Sequence, residues 1–163
     1  MSEALAIREK HDGALADRSS VRLWLRLLSC TLTIEKEVQR RFADLGATLP
    51  RFDVLAALDR HPNGMNMGAL SRALLVSNGN ATQLVQKLAK DGLVLIAPSP
   101  AARRASIVRL TRAGRSEFAG LAAAHHDWID TLLAGMDAGT RDSLYEALGA
   151  LKRSIAKGQQ LES

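Results

Sequence analysis

A single cysteine, Cys30, rules out a disulfide within the chain and suits a reducing compartment, so a cytoplasmic location is expected. Hydrophobic residues make up 47% of the sequence, yet no run of them is long enough for a transmembrane span, and no membrane partner is expected. Residues 1–18 carry Glu3, Arg8, Glu9, Lys10, His11, Asp12, Asp17 and Arg18 and lack the apolar centre and cleavage site of a secretory leader. They read as a mobile N-terminal arm. A glycine-rich phosphate loop, a Ser-His-Asp order around a nucleophile turn and paired Glu-x-x-His segments are all missing. No catalytic residue, no cofactor and no enzyme activity are therefore expected.

What the chain does have is concentrated in residues 67–111. Ala69, Leu70, Ala73 and Leu74 recur at the spacing of one helix face, which predicts a short helix over 67–75. Ser77 then offers a hydroxyl to cap a second helix, whose buried stripe is Ala81, Leu84, Val85 and Leu88 and whose end is Asp91-Gly92. The outward face of this second helix reads Asn78, Asn80, Thr82, Gln83, Gln86, Lys87 and Lys90. Uncharged amides and hydroxyls both donate and accept, which is what base edges in a major groove require, whereas an ordinary solvated helix favours Glu and Lys.

Residues 93–97 and 106–110 are two short β-prone runs, and between them Pro98 and Pro100 forbid strand while Arg103 and Arg104 sit near the tip. A helix pair followed by a basic hairpin is a winged helix-turn-helix. From 87 to 115 the charged residues are Lys87, Lys90, Arg103, Arg104, Arg109, Arg112 and Arg115, opposed by Asp91 alone. Within a chain of net charge +5, that local excess fits a phosphate-binding surface.

The same residues resemble the multiple-antibiotic-resistance regulator (MarR) family of bacterial transcription factors. The resemblance runs from about Leu49 to Gly114 through Leu70-Ser71-x-x-Leu74, Val76-Ser77, Thr82-x-Leu84-Val85-x-x-Leu88, Asp91-Gly92-Leu93-Val94, Arg103-Arg104-Ala105 and Leu110-Thr111-x-x-Gly114. The sequence departs from it twice. Ala102 replaces the usual wing aspartate, and Leu95-Ile96 replaces an acidic-basic pair.

Elsewhere the periodicity predicts helices. A long one starts near a Ser19 or Ser20 cap, apolar nearly all round in its first half through Val21, Leu23, Trp24, Leu25, Leu27, Leu28, Cys30 and Leu32. It narrows to Ile34, Val38, Phe42 and Leu45 and ends at Gly46. Thr48-Leu49-Pro50 opens another, with Phe52, Leu55, Ala56 and Leu58 inward, broken by His61-Pro62-Asn63-Gly64. After Thr111 a helix carries Phe118, Leu121, His125 and Trp128 to about Ala134, and Asp137 caps a last one whose stripe is Leu144, Leu148, Leu151 and Ile155.

Those terminal helices predict a homodimer, with two recognition helices roughly 34 Å apart on double-stranded DNA bearing an inverted repeat. The expected architecture is mainly α with a small α+β wing. Residues 1–18 form the arm, 19–48 a dimerisation helix and pocket wall, 49–111 the winged helix-turn-helix lobe, and 112–163 the C-terminal dimerisation helices. Asn78, Asn80, Thr82, Gln83 and Gln86 are expected at base edges, Ser77 and Lys87 at phosphates, and Arg103 and Arg104 at the flanking minor groove.

The resemblance further implies a ligand-released repressor. Its effector would be a small aromatic acid, or the coenzyme A thioester of one, held in a crevice between the first long helix, the helix of Phe52 and the reading lobe. Trp24 and Phe52 would supply apolar walls, and Arg22, Arg26 or Arg60 would meet a carboxylate or phosphate. Some relatives sense peroxide through one cysteine, but Cys30 lies amid leucines and the only tyrosine is Tyr145, so it reads as a core residue. Others sense zinc. His125, His126, Asp127 and Asp130 invite that reading, but no second cluster completes a tetrahedral site and no metal is expected. Sequence-indifferent DNA packaging remains as the alternative that needs phosphate contacts without the amide-rich face.

Overall fold

The computed structural model describes residues 19–98 and 106–161. The arm and the wing tip, with Ala102, Arg103 and Arg104, lie outside the described residues. Among those described, the chain forms two compact units that divide between His126 and Asp127.

The first unit opens with α1 (Ser19–Asp44), of which Ser19 and Ser20 are the first helical residues. Leu25, Ser29, Val38 and Phe42 are its buried residues, and the Ser29 hydroxyl is satisfied by donating to the Leu25 carbonyl at 2.8 Å. Only one stripe of α1 is covered in its first half. Val21, Leu23, Trp24 and Leu32 are exposed, and so is Cys30, which corrects its reading as a core residue. Cys30 follows buried Ser29 by one residue, a turn of about 100° on a helix, and that carries it off the covered stripe. Leu45 is exposed for a related reason, because the helix has ended and Gly46, at φ 68, turns the chain away.

Helix α2 (Leu49–Asp59) starts at Thr48, whose hydroxyl accepts from the Arg51 amide at 3.3 Å, with Pro50 in the first turn. It is the centre of the unit. Val54 and Ala57 are buried along with Phe52, Leu55, Ala56 and Leu58, because α1, α3, α4 and β3 all pack on it.

A two-residue strand β1 (Met65–Asn66) leads into α3 (Met67–Leu74), α4 (Asn78–Lys90), β2 (Val94–Pro98) and β3 (Ser106–Leu110). The sheet order is β1-β3-β2, antiparallel, with Met65 opposite Val108 and Ile96 also opposite Val108. This is the winged helix-turn-helix, with one strand more than the sequence predicted. Pro98 belongs to β2, opposite Ser106, and not to the loop. It ends an edge strand, where a missing amide hydrogen costs no ladder bond. Leu70 and Ser71 are the buried residues of α3, whereas Ala73 is exposed, so the inward face sits one position earlier than its apolar pattern implied.

Helix α5 (Arg112–Leu133) is started by Thr111, whose Oγ1 accepts from the Gly114 amide at 3.0 Å. Arg51 links α2 to its neighbours, reaching Glu117 of α5 through Nε at 2.9 Å and Asp91 at the end of α4 at 3.3 Å. Within the first unit Phe42, Phe52, Phe118 and His125 form an aromatic cluster, with the His125 ring 4.8 Å from Phe52 and 6.0 Å from Phe42 between centroids. Burial, aided by neighbouring His126, lowers the His125 pKa from its ordinary 6.5. The folded state therefore favours neutral imidazole. As pH falls through 6.5 the unfolded chain takes up its proton first, and stability drops until the lower folded pKa is passed. Denaturant titrations at pH 7.5 and 5.5 are expected to show a smaller acid loss for His125→Phe than for wild type.

In the second unit Asp137 caps α6 (Ala138–Leu161), accepting from the Thr140 amide at 2.9 Å and from its hydroxyl at 2.6 Å. These bonds hold the Asp137 carboxyl below its usual range. Leu144, Tyr145, Leu148 and Ile155 are exposed along α6 and Leu151 is half-buried. A hollow of about 540 Å³ opens beside them, lined by Leu133, Met136, Leu144, Tyr145 and Leu148 with Arg141 and Asp142 at its rim.

Candidate nucleic-acid interface

Helix α4 is clamped at both ends. Ser77 Oγ accepts from the Asn80 amide at 3.2 Å, the Ser77 carbonyl accepts from Ala81 at 3.0 Å, and Gly92 at φ 72 follows the C-cap Asp91. Ala81, Val85 and Leu88 are buried against the rest of the lobe, and Leu84 is half-buried. That anchoring turns Asn80, Gln83, Gln86, Lys87 and Lys90 outward, all exposed. Asn80, Gln83 and Lys87 follow at spacings of three and four, which is one face of the helix. The first turn of α4 carries no acidic residue to oppose the positive end of its dipole.

The hydrogen bonds of the predicted readers divide them into two sets. Asn80, Gln83 and Gln86 make no side-chain hydrogen bond among the described residues, and each keeps its full set of donors and acceptors. Thr82 is half-buried and its hydroxyl donates to the Asn78 carbonyl at 2.7 Å. Asn78 Oδ1 accepts from the Ser71 hydroxyl at 2.6 Å. Beside α4 a groove of about 520 Å³ runs along Asn66, Met67 and Gly68, Thr82 and Gln86, and Ile96 and Ser106 of the wing. Ile96 gives its wing side an apolar floor.

The basic residues divide likewise. Arg109 Nε donates to the Asn63 carbonyl at 2.8 Å and Arg115 to the Leu110 carbonyl at 3.2 Å, so both brace the wing while their remaining donors stay available. Lys87 and Lys90 are exposed on α4 itself.

The residues expected to line an effector crevice do not all meet. Arg22 and Arg26 stand one turn apart on α1 and line a shallow hollow of about 260 Å³ with Ser19 and Leu23. Trp24, between them in sequence, is 58% exposed on the same helix. Phe52 is only 8% exposed and belongs to the aromatic cluster, so a ligand touching it must part that cluster. Arg60 caps the other end of α2. It opposes the rise in the Asp53 pKa that burial and nearby Glu35 produce. Among the described residues no group of three or more His, Cys, Asp or Glu is placed to hold a metal ion. None of their helices is long and apolar enough to cross a membrane.

Sequence reasoning gave no role to Ser71 or Arg51, and met Ile96 as a departure that makes the wing more apolar without placing it in a groove. Arg51 gave no signal, since its partners Asp91 and Glu117 lie 40 and 66 residues away. Ser71 did give one, because a serine inside an apolar helix face needs a partner.

A sequence model of the MarR family matches residues 45–105. The transcriptional activatory protein BadR of Rhodopseudomonas palustris is 37% identical over 103 residues, which take in 62% of this chain and only 59% of BadR. A MarR family transcriptional regulator from Silicibacter pomeroyi, known as a crystal structure, is 32% identical. It superposes with a TM-score of 0.74 over 88% of this chain and 99% of its own. The S. aureus MepR–DNA complex has a TM-score of 0.70 over 82% of this chain and 96% of that one, at 13% identity, which is likeness of fold alone.

Proposed function

The chain belongs to the MarR family of DNA-binding transcriptional regulators, and from that premise we propose that it represses transcription as a homodimer seated on an inverted repeat. The observation that carries the reading is the outer face of α4, where Asn80, Gln83 and Gln86 keep their amides uncommitted while the opposite face is fully anchored. Gln83 and Gln86 read base edges, and Lys87, with Arg103 and Arg104 of the wing, neutralises phosphates. The MepR–DNA complex supports the same use of the fold. The protein works in the cytoplasm, where its DNA is.

Release follows binding of a small aromatic acid or its coenzyme A thioester. Arg22 and Arg26, one turn apart on α1 beside a shallow hollow, support that class, since paired guanidinium groups suit a ligand's acidic group, and exposed Trp24 lies on another face of the same helix. Pairing across a two-fold axis is supported by the apolar residues α1 and α6 leave uncovered, among them Val21, Leu23, Leu144, Leu148 and Ile155.

Two substitutions separate reading from holding. Gln83→Ala is expected to cost roughly 1–3 kcal/mol on a site selected from a random DNA pool and little on random DNA. Lys87→Ala is expected to weaken both and to reduce the salt slope by about 1. Equal losses on the two DNAs for Gln83→Ala would remove it from the readout set. Activation is a second reading, favoured by the activatory role in the name of BadR. A transcriptional reporter on the bound site decides between them, since deleting a repressor raises its output and deleting an activator lowers it.

A further inference from the structure

Ser71 and Asn78 sit on either side of the turn in the helix-turn-helix, and their contact gives Asn78 a role different from that of its neighbours on α4. Resting on the reading of α4 as the recognition helix, we infer that the Ser71–Asn78 hydrogen bond is a latch that sets the angle of α4 against α3. Asn78 is then a positioning residue, acting on DNA affinity through Ser71, and reads no base itself.

The turn needs such a latch. Leu75 takes the left-handed conformation, at φ 56 and ψ 36, where a side chain is ordinarily disfavoured, and it is 93% exposed, so no burial compensates. Hydrogen bonds must hold residues 75–77 in place. Leu75 donates its amide to the Arg72 carbonyl at 3.3 Å, and Val76 donates to the Ser71 carbonyl at 3.1 Å, the pair that closes a helix end. Both bonds stop within the turn. The Ser71 hydroxyl goes further, reaching Asn78 Oδ1, on the first residue of α4, at 2.6 Å. Ser71 is 6% exposed on the inward face of α3, so it has no access to DNA, and its hydroxyl also lies 3.1 Å from the Gly68 carbonyl of its own helix. Ser71 thus serves the turn twice, once with its carbonyl and once with its hydroxyl.

The leverage is geometric. At 1.5 Å per residue Gln86 lies about 12 Å along α4 from Asn78, so a swing of about 10° at the first turn displaces it by about 2 Å. That is enough to break a bidentate contact with a base. Asn80, Gln83 and Gln86 keep both functions of their amides for DNA, whereas Asn78 has committed its oxygen inward.

The test is a double-mutant cycle on the full chain with Ser71→Ala, Asn78→Ala and both together. Each is titrated on a DNA site selected by the wild-type protein from a random pool and on random DNA, with circular dichroism melts alongside. The latch predicts that each single variant loses about fivefold to tenfold on the selected site, and that the double variant loses no more than either. Random DNA, held through phosphates, is bound as by wild type. A loss of folded protein would lower both affinities alike, so the ratio of the two reports position and not stability. Ser71→Ala binding the selected site as wild type does, or losses that multiply in the double variant, would overturn the latch while leaving α4 as the reader. A wild-type protein with no preferred site would sink the recognition-helix reading, and the latch with it.

Discussion

Gly114→Ala is expected to destabilise the first unit by about 3 kcal/mol, the upper end of what overpacking costs, and to lower the melting temperature by roughly 6–12 °C. A Cβ at this position would lie 2.0 Å from the Leu93 carbonyl oxygen and 3.0 Å from its carbon. Neither side can retreat cheaply. The Leu93 oxygen accepts from the Thr111 amide at 3.0 Å and from the Thr111 hydroxyl at 3.1 Å, while the Leu93 amide is tied to the Leu88 carbonyl at 2.9 Å. Pushing Leu93 away therefore loosens the end of α4, the start of β2 and the cap of α5 together. Chemical denaturation of the variant checks this, and a stability within about 0.5 kcal/mol of wild type would show that the α5 start yields easily.

Leu148→Glu is expected to leave the fold intact and to abolish the proposed dimer, lowering affinity for an inverted repeat by about 10²–10⁴ as the avidity of two linked half-sites is lost. Leu148 is exposed on the single chain, so a glutamate there is tolerated in isolation. At a two-fold seam formed by Leu144, Leu148, Leu151 and Ile155 the same substitution places two carboxylates in an apolar contact, where their desolvation is uncompensated. Arg153→Glu changes the charge in the same direction on another face of α6 and is expected to leave association unchanged. Sedimentation velocity separates the two variants. A Leu148→Glu protein that still sediments as a dimer would move the seam elsewhere.

The parts of this molecule that were legible in its sequence are those in which neighbours along the chain make the structure. Ser77, Thr48, Thr111 and Asp137 are capping residues because each is a short polar side chain placed just before an apolar period, and each accepts from an amide three residues on. The stripe Ala81, Val85 and Leu88 and the glycine after Asp91 are equally local. What escaped is non-local or too short to carry a period. Strand β1 has two residues and exists because β3 offers it an edge.

Gly64 marks that strand only afterwards. At φ 86 it lets the backbone pass where a Cβ would meet Ile107 and the Val108 carbonyl, and the sequence showed it only as a break. The exposure of Cys30 and Leu45 was misread for a different reason. A helix that is apolar all round suggests cover on every side, yet the single chain covers only one stripe of the first half of α1. The amide face of α4 was legible as a face, but the separate role of Asn78 was not, because it depends on the turn bringing Ser71 within reach.

The most direct test of the central claim is a fluorescence-anisotropy titration of the full-length protein against DNA from immediately upstream of its own gene and against random DNA. It is run over a salt series and repeated with aromatic acids and with their coenzyme A thioesters. Sequence-specific regulation predicts binding to the upstream DNA tighter by about 10³ or more than to random DNA, steep salt dependence on both, and loss of the specific complex with one ligand class. Equal affinity for the two DNAs at every salt concentration would contradict it and leave a protein that holds phosphates without reading bases.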